Sequence, residues 1–417
     1  MMSQRPLLGE VVRIERVQPD EEETFLRVLC EGFDLDITTA RPMFFHDPYF
    51  AFNQRWGLWV KVRRRTVLAS IATAIPLQFW LRGRPVSGYG VAGVTTLREF
   101  RRRGFAHQLL RAMIASAHQE AMPGLALQAF DHSFYRKLGW QTVGTLTRLR
   151  IPPNYLPPFP TQGVRRMVET DAEAVFRLYE STRSDESGRL VRDDLRWHYL
   201  FWNIRNKWVY DAQGQVEGYL MYDFLDGGWV MRVRELVAAT EHARRTLIGW
   251  LATNPERVHQ IEFAGTLADL QPIAQYLSPT LGQAPERPIA TFEQAPGLMW
   301  RITHPQAMLQ AVLAGRPAPE PFQPFTLNLR DPLLPLEQRW LQVVAPTGSL
   351  QVVTLHQNRP APPIFLDSLA LNSLMWGSES PSALWARKQI QGDESLLPVL
   401  EALFAPQAVC LRPVDFF

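Results

Sequence analysis

The chain is organised around the pattern of apolar and polar positions between Val91 and Leu138. A short apolar run, Val91-Ala92-Gly93-Val94, predicts a strand, and a basic stretch follows it, Arg98-Glu99-Phe100-Arg101-Arg102-Arg103. Beyond Gly104, Leu109, Leu110, Met113, Ile114 and Ala117 recur at helical spacing and predict one apolar face of a helix over 104–121, closed by Pro123-Gly124. Leu125 to Phe130 reads as the next strand, Ser133 to Leu138 as a short helix, and Val143 to Ile151 as the strand that closes the unit. Upstream, Asp20 to Cys30 is acidic first and apolar later, as in a helix with negative charge in its first turn. Leu58 to Val62 and Val67 to Ile75 form a hairpin through Arg63–Arg65, and Gln78 to Leu81 continues the sheet toward Val94. Phe44 to Trp56 is an aromatic loop, suited equally to packing under a lid and to a substrate wall. This order of elements predicts an α+β sheet with a splayed centre.

Five prolines between Pro152 and Pro160 make a connector, and the order then repeats. Asp171 to Thr182 is helical, Lys207–Asp211 and Val216–Asp223 form a hairpin, Trp229–Val237 is a strand, Glu241–Ala252 a helix and Gln260–Phe263 a strand. Gly297 to Ile302 opens a third unit, with a helix over Pro305–Ala314, strands near Phe325–Leu329, Trp340–Val344 and Leu350–Leu355, and helices over Leu366–Met375 and Ser382–Arg387. The expected domains are therefore 1–160, 161–295 and 296–417, as the length of 417 residues also suggests.

The turn before the first long helix carries candidate chemistry. A helix start leaves N–H groups without intrahelical partners, and its dipole favours negative charge. Gly104 lets an anion approach the main chain, Ala106 leaves the first turn uncrowded, and the arginines add charge-assisted hydrogen bonds. The expected ligand is a pyrophosphate. Arg63-Arg64-Arg65 has the same three arginines without a glycine or a helix after them, and reads as a hairpin cap. In the second unit the equivalent turn, Ala238-Ala239-Thr240-Glu241, lacks the pattern and puts an acid where a phosphate would sit. That copy is expected to be scaffold.

Arg101-x-x-Gly104-x-Ala106 after a strand resembles the acyl-CoA motif of the GNAT N-acetyltransferases. The run Arg101-Arg102-Arg103-Gly104, with Tyr135 thirty-one residues past the glycine in a Tyr-x-x-x-Gly-aromatic frame, is similar to the Eis (enhanced intracellular survival) family. The resemblance covers the whole chain. It implies two GNAT-like mixed-sheet domains, the second without a CoA motif, followed by a sterol-carrier-protein-like α+β C-terminal domain. It also implies an acetyl-CoA-dependent N-acetyltransferase acting on a primary amine: aminoglycoside-like, a polyamine or a lysine side chain.

Carried onto this sequence, the family pattern makes Val94, Thr95 and Thr96 the strand residues that face the pantetheine and thioester. Arg101, Arg102, Arg103, Gly104, Phe105, Ala106 and His107 become the phosphate turn, and Phe130 and Asp131 a second cofactor contact. Tyr135 is the general acid, since a phenol of pKa about 10 is protonated at neutral pH and can hand a proton to a thiolate. The general base is the terminal α-carboxylate, here on Phe417, at the end of an apolar tail from Ala408 that suits docking into the first domain. Asp415, and less definitely Asp34 and Asp36, are the acids on offer for a cationic substrate.

Composition removes other classes. A net charge of +3 is too near neutral for bulk nucleic-acid binding. Two cysteines and nine scattered histidines give no disulfide framework and no metal-ligand spacing. No stretch of about 20 residues is apolar enough to span a bilayer, and Met1–Glu10 does not resemble a signal peptide, so a cytoplasmic protein is expected. The family resemblance implies a hexamer. The competing reading is a non-catalytic carrier or sensor that binds CoA in the first domain and a lipid in the third.

Overall fold

The computed structural model of the protein describes residues 9–45, 51–182, 186–253, 258–277, 290–334, 340–355 and 361–417. The middle of the expected aromatic loop, 46–50, lies outside the described residues.

In the first part of the chain the strands are β1 (Glu10–Arg16), β2 (Arg55–Val62), β3 (Arg65–Leu81), β4 (Arg84–Thr96), β5 (Gly124–Gln128), β6 (Gln141–Thr142) and β7 (Thr145–Ile151). The helices there are α1 (Glu22–Phe33), α2 (Ile37–Phe45), α3 (Phe105–Gln119) and α4 (His132–Arg136). The second part adds β8 (Val164–Arg166), β9 (Asn206–Ala212), β10 (Gln215–Leu225), β11 (Val230–Ala238), β12 (Gln260–Gly265) and β13 (Thr291–Pro296), with α5 (Ala172–Ser181), α6 (Asp194–Asn203), α7 (Glu241–Ala252) and α8 (Leu267–Gln275). The third adds β14 (Leu298–Ile302), β15 (Phe325–Arg330), β16 (Trp340–Val344), β17 (Gln351–Leu355), β18 (Pro363–Asp367) and β19 (Ile390–Gly392), with α9 (Pro305–Leu313), α10 (Ser368–Trp376), α11 (Pro381–Ala386) and α12 (Leu397–Leu403).

Among the described residues these strands form three mixed sheets, ordered β1-β2-β3-β4-β5-β14-β6, β13-β7-β12-β11-β10-β9-β8 and β17-β16-β15-β18-β19. The α+β class and the three-part architecture are those expected. Two strands are placed differently. Thr145–Ile151, expected to close the first unit, pairs with β12 and β13 in the second sheet. Leu298–Ile302, expected to open the third unit, inserts into the first sheet between β5 and β6. All five residues of β14 are buried. A strand buried on both faces belongs in the interior of a covered sheet rather than at an edge. Periodicity reports burial but not the identity of the partner strand, which is why the exchange was not legible.

A third difference lies in the C-terminal domain. The helix expected from Leu366 begins at Ser368, because Asp367 caps it by accepting the Ala370 N–H, and Pro363–Asp367 is a strand. The core of this domain continues into the first: Phe79, Leu81, Val86 and Trp300 share one apolar cluster with Phe325, Leu374 and Trp376. Buried Arg301 of β14 donates to the Leu138 carbonyl and pairs with Asp331 at 2.6 Å, which ties the third domain to the first.

Candidate functional site

Parallel strands β4 and β5 pair only at Tyr89–Leu125 and Gly90–Ala126. Beyond Gly90 they diverge, and a wedge opens between Val91–Thr96 and the end of β5. Strand β4 also carries a bulge. Thr95 stands opposite Ile71 and Ala92 opposite Thr73, so Gly93 and Val94 together face the single residue Ala72. Gly93 adopts φ +61° there. A bulge leaves one residue outside the ladder and re-aims its backbone groups. This places the irregular backbone of β4 at Val94, where the thioester-facing N–H groups were expected.

The neighbouring Thr95 and Thr96 have structural partners. Ser70 Oγ donates to the Thr95 carbonyl at 2.8 Å and lies 2.9 Å from Thr96 Oγ. Arg101 Nε donates to the Thr96 carbonyl at 2.9 Å, fixing the start of the basic turn. Arg101 and Arg102 are exposed. Arg103 covers the face of Phe100 at 5.6 Å. Gly104 is the N-cap of α3 with φ +76°, and no side chain caps the helix. Nothing lies within 4 Å of the position a Cβ would take on Gly104. The first turn of α3 contains no acid. Bare N–H groups, a positive dipole end and open space together make a seat for an anion. The Phe105 ring is buried against Phe100 and contributes structure to this turn. His107 stacks at 4.4 Å on Phe134.

Across the wedge, β5 leads to Phe130, which is 79% exposed, and to Asp131. Asp131 caps α4, accepting from the N–H groups of Ser133 and Phe134. Its carboxylate is thereby committed to the helix that carries Tyr135. Tyr135 is 3% exposed and lies edge-on to Phe130, Phe134 and Trp140, with ring centroids 5.8, 5.0 and 5.9 Å away. Burial, helped by the Asp131 charge, pushes its phenol up to about 12. It is therefore a proton donor throughout the neutral range.

The C-terminal tail enters the first domain. Cys410 N–H donates to the Ser187 carbonyl and Thr145 N–H to the Val409 carbonyl, which holds the tail between Ser187 and the start of β7. The ring of Phe417 then lies on Gly90: a Cβ there would stand 2.7 Å from the ring and 2.6 Å from the Leu77 side chain. The last residue thus sits at the root of the β4–β5 wedge. Its ring also meets Phe79 edge-on at 6.3 Å.

Asp415 is not a substrate-facing acid. It is fully buried and accepts from Arg192 at 3.0 and 2.9 Å, while Arg196 donates to the Val414 carbonyl at 2.8 Å. Arg192 also holds Glu235 of β11 through two 2.8 Å bonds. Burial alone would raise the Glu235 carboxyl, but Arg192 outweighs it and holds the group at about 2. Asp36 caps the start of α2 through the N–H groups of Thr38 and Thr39. The residues that seat the tail, Gly90, Arg192 and Arg196, were missed in the sequence. The alternation Gly88-Tyr89-Gly90 was a usable signal, since glycine inside a strand marks a close approach.

The second sheet has the same parallel divergence, after Arg232 of β11 and Glu262 of β12. Its following helix, α7, is capped by Thr240, which accepts from Ala243 N–H, and carries Glu241 in its first turn.

Comparison with known proteins agrees with this architecture. Residues 13–143 and 188–302 each match an acetyltransferase (GNAT) domain family, and residues 309–412 match the sterol carrier protein domain family. No curated protein sequence matches the chain. Solved structures share the fold along nearly its full length, three of them as follows. One is a conserved protein from Enterococcus faecalis V583, titled a probable N-acyltransferase, with 18% identity, TM-score 0.79 and coverage of 98% of this chain and 100% of that one. A GCN5-related N-acetyltransferase from Anabaena variabilis has 18% identity, TM-score 0.79 and coverage of 97% and 100%. Eis1 from Mycobacterium abscessus has 19% identity, TM-score 0.69 and coverage of 97% and 100%. The chain is an acyltransferase of the GNAT class. It carries two GNAT domains followed by a sterol carrier protein domain, and it shares the fold of Eis1 along nearly its whole length.

Proposed function

We propose that the protein transfers the acetyl group of acetyl-CoA to a primary amine in the wedge between β4 and β5. One observation carries the reading: an uncapped helix N-terminus opens at the mouth of that wedge, and the chain's own C-terminus stands at its root. The diphosphate sits on the main chain of Arg102–His107, with the arginines as counter-charge. Backbone N–H groups near Val94 polarise the thioester carbonyl, and one such donor is worth about 3 kcal/mol.

The amine nitrogen attacks the carbonyl carbon, a C–N bond forms and the C–S bond breaks. The proton leaving nitrogen goes to the Phe417 carboxylate, directly or through a water, and Tyr135 protonates the departing thiolate. In water a carboxylate near pKa 3.5 is a poor base for an ammonium near 10, a gap costing about 8 kcal/mol. The step therefore needs a water relay or surroundings that bring the two groups closer in basicity.

The second sheet serves as scaffold in this reading, since Thr240 occupies an N–H group of α7 and Glu241 repels phosphate. The Eis resemblance adds a hexameric, cytoplasmic protein, and sedimentation velocity tests the assembly. Incubating acetyl-CoA with primary amines and measuring free thiol tests the reaction. Amine-dependent thiol release is expected, with loss of turnover on adding a short Gly-Ser extension after Phe417. Full turnover in the extended protein would remove Phe417 as the base.

A further inference from the structure

Next to the seat of Phe417 lies a cavity of about 330 Å³, toward the small end of ligand pockets. One wall belongs to the β3–β4 hairpin, with Leu77, Gln78 and Gly88; the other is the segment Leu190–Arg196 of the second domain. The two walls are joined by main chain: Val191 N–H donates to the Gln78 carbonyl at 2.8 Å and Trp80 N–H to the Arg189 carbonyl at 2.8 Å. Leu77 connects this space to the catalytic end of the tail, since its methyl lies beside the Phe417 ring over Gly90. An acceptor reaching Phe417 from this side has its body in the cavity.

The charges around the cavity are already matched. Arg192 is shared between Glu235 and Asp415. Arg196 holds Asp415 and the Val414 carbonyl. Asp193 caps α6 by accepting the Arg196 N–H at 2.8 Å. Beyond Met122, Glu120 is engaged by Arg16 and by the Tyr89 hydroxyl. Among the described residues, each carboxylate facing the space has a cation or a donor of its own. Leu77, Met122, Leu190 and Val191 supply apolar surface instead. A polycation placed here would lose hydration from every ammonium group and meet two guanidinium groups in return.

We infer that the acceptor is a monoamine with an apolar or neutral body, such as an aralkylamine, and that aminoglycosides and polyamines are poor substrates. The inference rests on the acetyl transfer proposed above and names its acceptor class. The test is kcat/KM at saturating acetyl-CoA for phenethylamine, spermidine and kanamycin, using the full-length chain. Phenethylamine is expected to exceed both polycations at least tenfold. A higher kcat/KM for either polycation, with thiol release intact, overturns the acceptor class and leaves acetyl transfer standing. No thiol release with any of the three overturns both. Gln78 is exposed, so Gln78→Glu adds a carboxylate to the cavity rim without touching the packed interior. It is expected to lower the KM for spermidine severalfold, and to lower it more than that for phenethylamine. An unchanged KM for spermidine would mean that the amine body lies elsewhere, which also overturns the inference.

Discussion

The ring of Phe417 occupies the space above Gly90 that any larger residue would need for its own side chain. A Cβ on Gly90 would stand 2.7 Å from the ring and 2.6 Å from Leu77. Phe417 is thus seated on the strand pair β4–β5, at the root of the wedge proposed to hold the coenzyme. Neither partner is informative alone; the relationship is what brings Phe417 into the proposed site.

Gly90→Val evicts that ring. Turnover is expected to fall by about 10²-fold, the scale of one acid–base group, with the KM for acetyl-CoA within about threefold of the parent. Steady-state kinetics checks this. A parallel rise in KM would place Phe417 in coenzyme binding instead.

Tyr135→Phe keeps the edge-on packing against Phe134 and Trp140 and removes only the hydroxyl. A drop of about 10²–10⁴-fold in kcat is expected, with acetyl-CoA affinity retained by calorimetry. Because the phenol is pushed up from 10 to about 12, its ionisation contributes no fall in rate below pH 10. The sign for stability follows. The raised folded pKa leaves stability intact below 10 and removes it as pH climbs from 10 toward 12. Thermal unfolding of the parent and of Tyr135→Phe across that range checks it, the variant losing less.

Gly104→Glu puts a carboxylate where the diphosphate is proposed to bind. The folded protein accommodates it, since the space above Gly104 is open and a helix start favours an acid. Strain from the positive φ costs about 1 kcal/mol. The dissociation constant of acetyl-CoA, measured by calorimetry, is expected to rise at least about tenfold.

Arg192→Met strips the shared cation from Glu235 and Asp415, both fully enclosed. Losing one partner of such a set costs about 3–5 kcal/mol, read as a lower urea midpoint. Glu235 also contributes to the loss of stability in acid. Its folded pKa is depressed from 4.5 to about 2, so its stabilisation is complete above pH 4.5 and is lost as pH falls toward 2. Glu235→Gln removes that slope while lowering stability at neutral pH.

The first domain was legible because its signals are local. The apolar face from Leu109 to Ala117, the glycine at the helix start and the alternation in the hairpins each depend on residues near in sequence. The repeat of that order in the second domain was legible for the same reason. The exchange of β7 and β14 between sheets was not, because a strand's sequence carries burial and not its partner. The site divides likewise. The proposed phosphate turn and Tyr135 were picked out by spacing and family resemblance, whereas the seat of Phe417 depends on contacts between Gly90, Leu77 and a tail more than three hundred residues away. Asp415 looked available because it is acidic and terminal, and only the fold brings Arg192 and Arg196 to it.

The structure of the protein crystallised with CoA tests the account most directly. It is predicted to place the diphosphate on the main-chain N–H groups between Arg103 and His107, with the thiol in the β4–β5 wedge and the second sheet's cleft free of coenzyme. A diphosphate bound between β11 and β12, or anywhere other than the start of α3, would contradict it.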